Sequence, residues 1–142
     1  MRFAIIGALL SAALATPVLA QEAGDAAAGE KEFRKCKACH MIQSPEGEDV
    51  VKGGAVGPNL YGVMGRPAGS QEGYNYSDAL IALKDSGEVW TPEDLAAYIT
   101  DPNKFVQEKT GDSSARTKMT FKLNKGQADI AAYLASASPA AQ

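Results

Sequence analysis

The sequence predicts an all-α fold, a few helices joined by long loops, and three observations carry that prediction. Apolar residues recur at helical spacing in three separate segments. No segment alternates apolar and polar residues for long enough to make a strand. The third observation is Cys36-Lys37-Ala38-Cys39-His40, whose C-x-x-C-H pattern is the attachment signal of a c-type haem. A large apolar cofactor at the centre supplies the core that so little regular structure cannot close by itself.

Each part of that pentapeptide has a chemical role. Two thiols add to the two vinyl groups of one porphyrin, and the two-residue gap sets the sulfurs at the separation those vinyls require. The histidine after the second cysteine can then offer an imidazole nitrogen to the iron as proximal ligand. Competing readings fare worse. A thioredoxin-like redox pair needs a βαβ setting, and the sequence shows none. A structural disulfide closing so short a loop stabilises little and strains the bond. Zinc asks for four ligands, and the whole chain holds two Cys and one His.

Residues 1–20 read as a signal peptide. Arg2 gives a positive start, an apolar run follows from Phe3, and Val18-Leu19-Ala20 fits an A-x-A-like cleavage site. The run is too short and too rich in alanine for a membrane span. Cleavage there leaves residues 21–142 as one domain, exported to the periplasm. Of 14 Lys and Arg the leader takes only Arg2, so 13 stand against 17 Asp and Glu, a net charge of −4. Nucleic acid is not an expected partner for an acidic exported domain, and a monomer is expected.

Within that domain Asp25 caps a first helix whose face includes Ala26, Gly29, Phe33 and Cys36, running into the haem motif. Thr91-Pro92-Glu93-Asp94 starts a second, with a cap, a proline at the first helical position and acids in the first turn. Leu95, Tyr98 and Ile99 form its stripe, and Asp101-Pro102 stops it. A last helix spans about Lys125 to Ala137, with Ile130, Tyr133, Leu134 and Ala137 on one face. A short flexible tail is expected from about residue 136.

With His40 on one side of the iron, the sixth ligand comes from elsewhere, and no second histidine exists. Met41 adjoins His40 and cannot reach the far face of the ring. Met64 and Met119 both remain. Met64 reads as a core filler, whereas Met119 sits in a polar loop, Thr117-Lys118-Met119-Thr120-Phe121, where a thioether is harder to explain as core. An open or lysine-ligated iron is the remaining alternative.

The chain resembles the class I cytochromes c, especially the larger bacterial cytochromes c2 and c550. The resemblance covers nearly all of residues 21–142. It is carried by Gly29 and Phe33 before the haem motif, Gly57-Pro58-Asn59-Leu60, Tyr61-Gly62, Gly65-Arg66 and Tyr74-Asn75-Tyr76. It continues through Trp90, Tyr98, Asp101-Pro102, Thr117-Lys118-Met119 and Tyr133-Leu134. It implies the class I cytochrome c fold, one covalent haem c on Cys36 and Cys39, and His40 and Met119 as axial ligands. It further implies that the Pro58 carbonyl accepts the other His40 ring N–H. Tyr76, Trp90 and Thr117 would bond the haem propionates, with Arg66 offsetting their charge and Tyr98 reaching toward the Met119 sulfur. Gly29 and Phe33 would meet Tyr133 and Leu134 where the first and last helices cross. Two stretches, Ser44 to Gly54 and Val106 to Arg116, are longer than in the mitochondrial type.

An iron with both axial positions filled by protein leaves no place for substrate. The expected activity is therefore one-electron transfer rather than catalysis, between a bc1-type complex and an oxidase, a reductase or a photosynthetic reaction centre. The alternative is a haem c protein whose distal side opens, acting as a peroxidase or a gas-binding module. Lys35, Lys37, Lys104, Lys118, Lys122 and Lys125 flank the haem motif and the Met119 loop. They are the candidate ring for transient electrostatic docking to redox partners.

Overall fold

The computed structural model describes residues 24–139; the leader read over residues 1–20 lies outside them. Asp25 opens helix α1 (Ala26–Glu32), its carboxylate accepting the N–H groups of Ala27 and Ala28, and a 3₁₀ turn over Phe33–Lys35 delivers the chain to Cys36. Helix α2 follows at Asp78–Asp85, α3 at Pro92–Thr100, α4 at Pro102–Thr110 and α5 at Gln127–Ala137. The predicted faces are the buried ones: Gly29 and Phe33 from the first segment, Leu95, Tyr98 and Ile99 on α3, and Ile130 and Leu134 on α5.

The three expected helices stand, and the described residues add two more. Helix α2 is short, capped by the Ser77 hydroxyl and buried through Ala79, Leu80 and Leu83. Asp101-Pro102 does end α3, yet it also starts α4. Asp101 has extended backbone, its carboxylate caps the Lys104 N–H, and Pro102 takes the first helical position. One small antiparallel pair was not expected either. Strand β1 (Ile42–Gln43) pairs with β2 (Asp49–Val51), Ile42 opposite Val51, within the longer stretch 44–54 and its approach.

Helices α1 and α5 cross closely. A Cβ on Gly29 would lie 1.9 Å from the Asp129 carbonyl oxygen and 2.8 Å from the Tyr133 Cβ, so only a hydrogen fits there. Next to that contact the Phe33 and Tyr133 rings stand 5.4 Å apart. Helix α3 packs on α5, and α4 packs on both α2 and α3. A flexible tail was expected from about residue 136, but α5 runs through Ala137, and Ser138, 8 % exposed, accepts the Gly62 N–H at 2.7 Å; residues 140–142 lie outside the described residues. No helix among the described residues is long and apolar enough to cross a membrane.

Candidate haem site

Between these helices and loops lies a cleft of about 240 Å³, partly open to solvent. Its walls are mainly apolar, with Phe33, Leu60, Val63, Leu80, Leu95, Ile99, Ile130 and Leu134 among them. Cys36, Cys39 and His40 enter it from the turn after α1. The Cys36 N–H bonds the Phe33 carbonyl at 2.8 Å, and the Cys39 and His40 N–H groups both reach the Cys36 carbonyl at 3.0 Å. That tight turn brings two thiols and one imidazole to a single wall. The thiols are free, Cys36 half-buried and Cys39 exposed. Burial pushes the Cys36 thiol up to about 11, with Lys35 pulling weakly the other way.

The imidazole is oriented from behind. His40 Nδ1 lies 2.8 Å from the Pro58 carbonyl oxygen. A carbonyl can only accept, so Nδ1 carries the proton and Nε2 keeps its lone pair. Burial lowers the pKa of His40, the Pro58 bond opposing it, so the ring is neutral near pH 7. Gly57 lies flat against that ring: a Cβ there would stand 2.3 Å from Cε1 and 2.6 Å from Nδ1.

A second loop, between α4 and α5, brings Thr117, Lys118 and Met119 to the same cleft. Neighbouring helices hold it. The Thr117 N–H donates to Asn103 Oδ1 at 3.0 Å, the Leu123 N–H to the Ile99 carbonyl at 2.8 Å, and the Met119 N–H to Thr117 Oγ1 at 3.4 Å. Met119 is half-buried in the cleft wall, whereas Met64, 6 % exposed, is core and lines no part of the cleft.

The remaining expected residues, Arg66, Tyr76, Trp90 and Tyr98, line the cleft as well. Tyr98 differs in detail. Its hydroxyl bonds Thr117 Oγ1 at 2.7 Å rather than a sulfur, and burial pushes the phenol up to about 12 although the Thr117 bond works the other way. The Tyr76 hydroxyl accepts the Gln71 N–H at 3.3 Å. The Trp90 ring packs 5.0 Å from Tyr98 and 5.7 Å from Phe105. Arg66 donates to the carbonyls of Tyr61 and Asn59, each at 3.0 Å, and to Gln71 Oε1 at 2.6 Å. All three partners are neutral, and burial lowers its pKa from the usual guanidinium value.

The candidate docking lysines divide. Lys35 and Lys118 line the mouth of the cleft, beside Val56 (73 % exposed) and Phe121 (43 %). Lys35 pairs with Glu32 at 2.5 Å, Lys104 with Glu108 at 3.7 Å and Lys122 with Asp101 at 2.6 Å. Lys118 donates to the Asn75 carbonyl. Lys37 and Lys125 form no ion pair among the described residues. The sequence reading missed the parts held by backbone: Gly57 beneath the imidazole, and the carbonyls of Asn59 and Tyr61 on Arg66. Asn103 lies on α4, a helix hidden in the sequence because Asp101-Pro102 reads as a terminator.

A porphyrin fits this cleft on the chemistry present. The walls suit an apolar macrocycle, the free thiols suit its vinyl groups, and a desolvated guanidinium without a carboxylate beside it suits its propionates. Fold and site together define a c-type haem protein. No protein-family model matches the chain, but individual relatives do. It is 57 % identical over 141 residues to cytochrome c-550 of Paracoccus versutus, covering 98 % of this chain and 91 % of that one. It is 55 % identical over 130 residues to cytochrome c2 of Rhodobacter capsulatus, covering 90 % and 95 %. The solved structure of Rhodobacter capsulatus cytochrome c2 superposes with a TM-score of 0.79 at 57 % identity, over 80 % of this chain and 97 % of that one. Ferric cytochrome c-550 from Paracoccus versutus gives 0.78 at 60 % identity, over 82 % and 99 %. The chain belongs to the class I cytochrome c family, in the branch of the bacterial cytochromes c2 and c-550, and the cofactor of that family is one covalently bound haem c with its iron.

Proposed function

We propose that the chain is a periplasmic one-electron carrier, with its haem joined to Cys36 and Cys39 and the iron held between His40 and Met119. The observation that carries this reading is that a neutral, oriented imidazole and a thioether line one apolar cleft with both thiols, while Met64 lies outside it. Bound haem supplies a reversible one-electron iron couple. The chain's residues set the conditions for it. Pro58 and Gly57 fix the imidazole plane, and the Pro58 bond raises its basicity. Met119 contributes a neutral sulfur, which favours the reduced metal. Arg66, Tyr76, Trp90 and Thr117 line the cleft and would hold the two propionates, and the apolar walls would keep water away. Lys35 and Lys118, which line the cleft, guide docking together with Lys37, Lys104, Lys122 and Lys125. The donor is a bc1-type complex, and the acceptor is an oxidase, a reductase or a photosynthetic reaction centre.

Carbon monoxide tests the ligation. The reduced wild-type protein is expected to show almost no spectral change on exposure to the gas. Met119→Ala should keep its haem through acid–acetone treatment yet bind carbon monoxide, and should lose the weak charge-transfer band at the red end of the oxidised spectrum. If Met64→Ala loses that band and Met119→Ala keeps it, the sulfur assignment is wrong. A wild-type protein that binds the gas readily supports the open-site reading, a peroxidase or gas-binding module.

A further inference from the structure

We propose that Lys109 is a positioning residue for the Met119 loop, acting at a distance through helix α4; this rests on Met119 as axial ligand. Its ammonium joins two carboxylates from separate segments, Glu88 Oε1 at 2.6 Å and Asp94 Oδ1 at 2.9 Å. Glu88 belongs to the stretch leading to Trp90, which is fastened to residues 66–68 by the Ala68 N–H on the Glu88 carbonyl and the Trp90 N–H on the Arg66 carbonyl. Asp94 lies in the first turn of α3, where Thr91 Oγ1 donates to Asp94 Oδ2 at 3.0 Å. Lys109 therefore ties the last turn of α4 to two fixed parts of the cleft wall. The same ammonium stands 5.4 Å from the centre of the Phe105 ring, and that ring stacks on Trp90 at 25°.

Helix α4 then carries this anchorage to the ligand loop. Asn103 Oδ1 accepts the Thr117 N–H at 3.0 Å, and Gln107 Nε2 donates to the Ala115 carbonyl at 3.2 Å. These contacts hold the backbone just before Met119 from the side of the helix. Helix α4 buries Pro102, Phe105 and Val106, as α3 buries Leu95, Tyr98 and Ile99. Single exposed ion pairs contribute little, but an ammonium bridging two carboxylates and covering an aromatic ring combines several small terms at one joint. The result is a strut: Lys109 fixes one side of α4, and the other side fixes residues 115–117.

The experiment uses the haem-loaded protein and the variants Lys109→Met, Lys109→Arg and Glu108→Gln. The last removes a charge on the same helix that pairs only with Lys104. Urea titrations follow the red-end charge-transfer band of the oxidised protein together with the far-ultraviolet helix signal, and hydrogen exchange follows the Thr117 amide. For Lys109→Met the population that has lost the band before helix unfolding should rise about fivefold, and Thr117 exchange should quicken by the same factor. Lys109→Arg should restore both, and Glu108→Gln should resemble wild type. Band loss and helix unfolding moving together by one amount would reduce Lys109 to a general stabiliser and overturn the proposal, as would a Lys109→Met variant that matches wild type. A wild-type protein lacking the band removes the Met119 ligation and this proposal with it, whereas a normal wild type beside an indifferent Lys109→Met removes this proposal alone.

Discussion

At the scale of single residues, the imidazole that lines the cleft was the most legible part of the sequence. One histidine in the chain, placed directly after a C-x-x-C pair, left no competitor for the imidazole. The sulfur was less legible. Met64 and Met119 differ little as residues, and what separates them is that one is packed into the core while the other faces the cleft. Gly57 was quoted as part of a motif, yet its steric role is invisible without coordinates, because spacing does not say which backbone lies beneath a ring. Its φ lies outside the left-handed region, so no conformational argument demands glycine there. The demand is space. A methyl 2.3 Å from His40 Cε1 forces the imidazole to tilt and weakens its bond to Pro58. Gly57→Ala is expected to cost about 1–3 kcal/mol in denaturant unfolding, the usual penalty of overpacking, and to shift the midpoint potential. A variant that unfolds and titrates like wild type would show that the backbone simply backs away.

At the scale of elements, strong caps and long stripes were readable and short segments were not. Two helices announced themselves by a capping residue and an apolar face, and α5 by its apolar face alone. Helix α2 has eight residues and the strands two and three, too few for a period to emerge. Helix α4 was hidden for another reason: Asp101-Pro102 reads as a terminator, and one aspartate served two helix ends. That helix matters because its Lys109 closes the joint with Glu88 and Asp94, and the joint has a defined pH window. Burial acts to raise the Asp94 pKa, but hydrogen bonds from Lys109 and Thr91 outweigh it and hold the carboxyl below its ordinary range. A depressed carboxyl contributes stability above its unfolded value of about 3.9, which is lost as pH falls through the folded value. Lys109 is raised by its bonds to Glu88 and then Asp94. Its contribution is complete below the unfolded value of about 10.4 and is lost as pH climbs through the folded one. The stability difference between wild type and Lys109→Met should therefore be flat across neutral pH and shrink at both extremes. A difference that persists unchanged in strong acid and strong base would show that lost side-chain packing, not charge, sets it.

At the scale of the whole molecule, the question is how a protein of formal net charge −3 could be steered by its lysines. Placement of charge governs encounter more than its sum. Six lysines flanking the haem motif and the Met119 loop suggested a basic ring from sequence alone, and the structure shows that the six differ in their pairing. Lys35, Lys104 and Lys122 each sit against a carboxylate, so much of their field is cancelled locally. Lys118 is exposed on the cleft mouth and bonded only to a neutral carbonyl, so its charge reaches solvent uncompensated. The apolar Val56 and Phe121 lie at the same mouth and offer the contact that follows capture. Steering by Lys118 predicts a second-order rate with the redox partner that falls steeply with salt, as the Debye length shrinks from about 30 Å at 0.01 M to about 10 Å at 0.1 M. Lys118→Glu should slow the reaction far more than Lys84→Glu, whose lysine lies in the last turn of α2 and away from the cleft. Lys122→Glu should fall between them, because it removes a cation already paired with Asp101 and leaves two carboxylates together. Three equal slopes against ionic strength would show that only total charge matters, and a rate indifferent to salt would dismiss steering altogether.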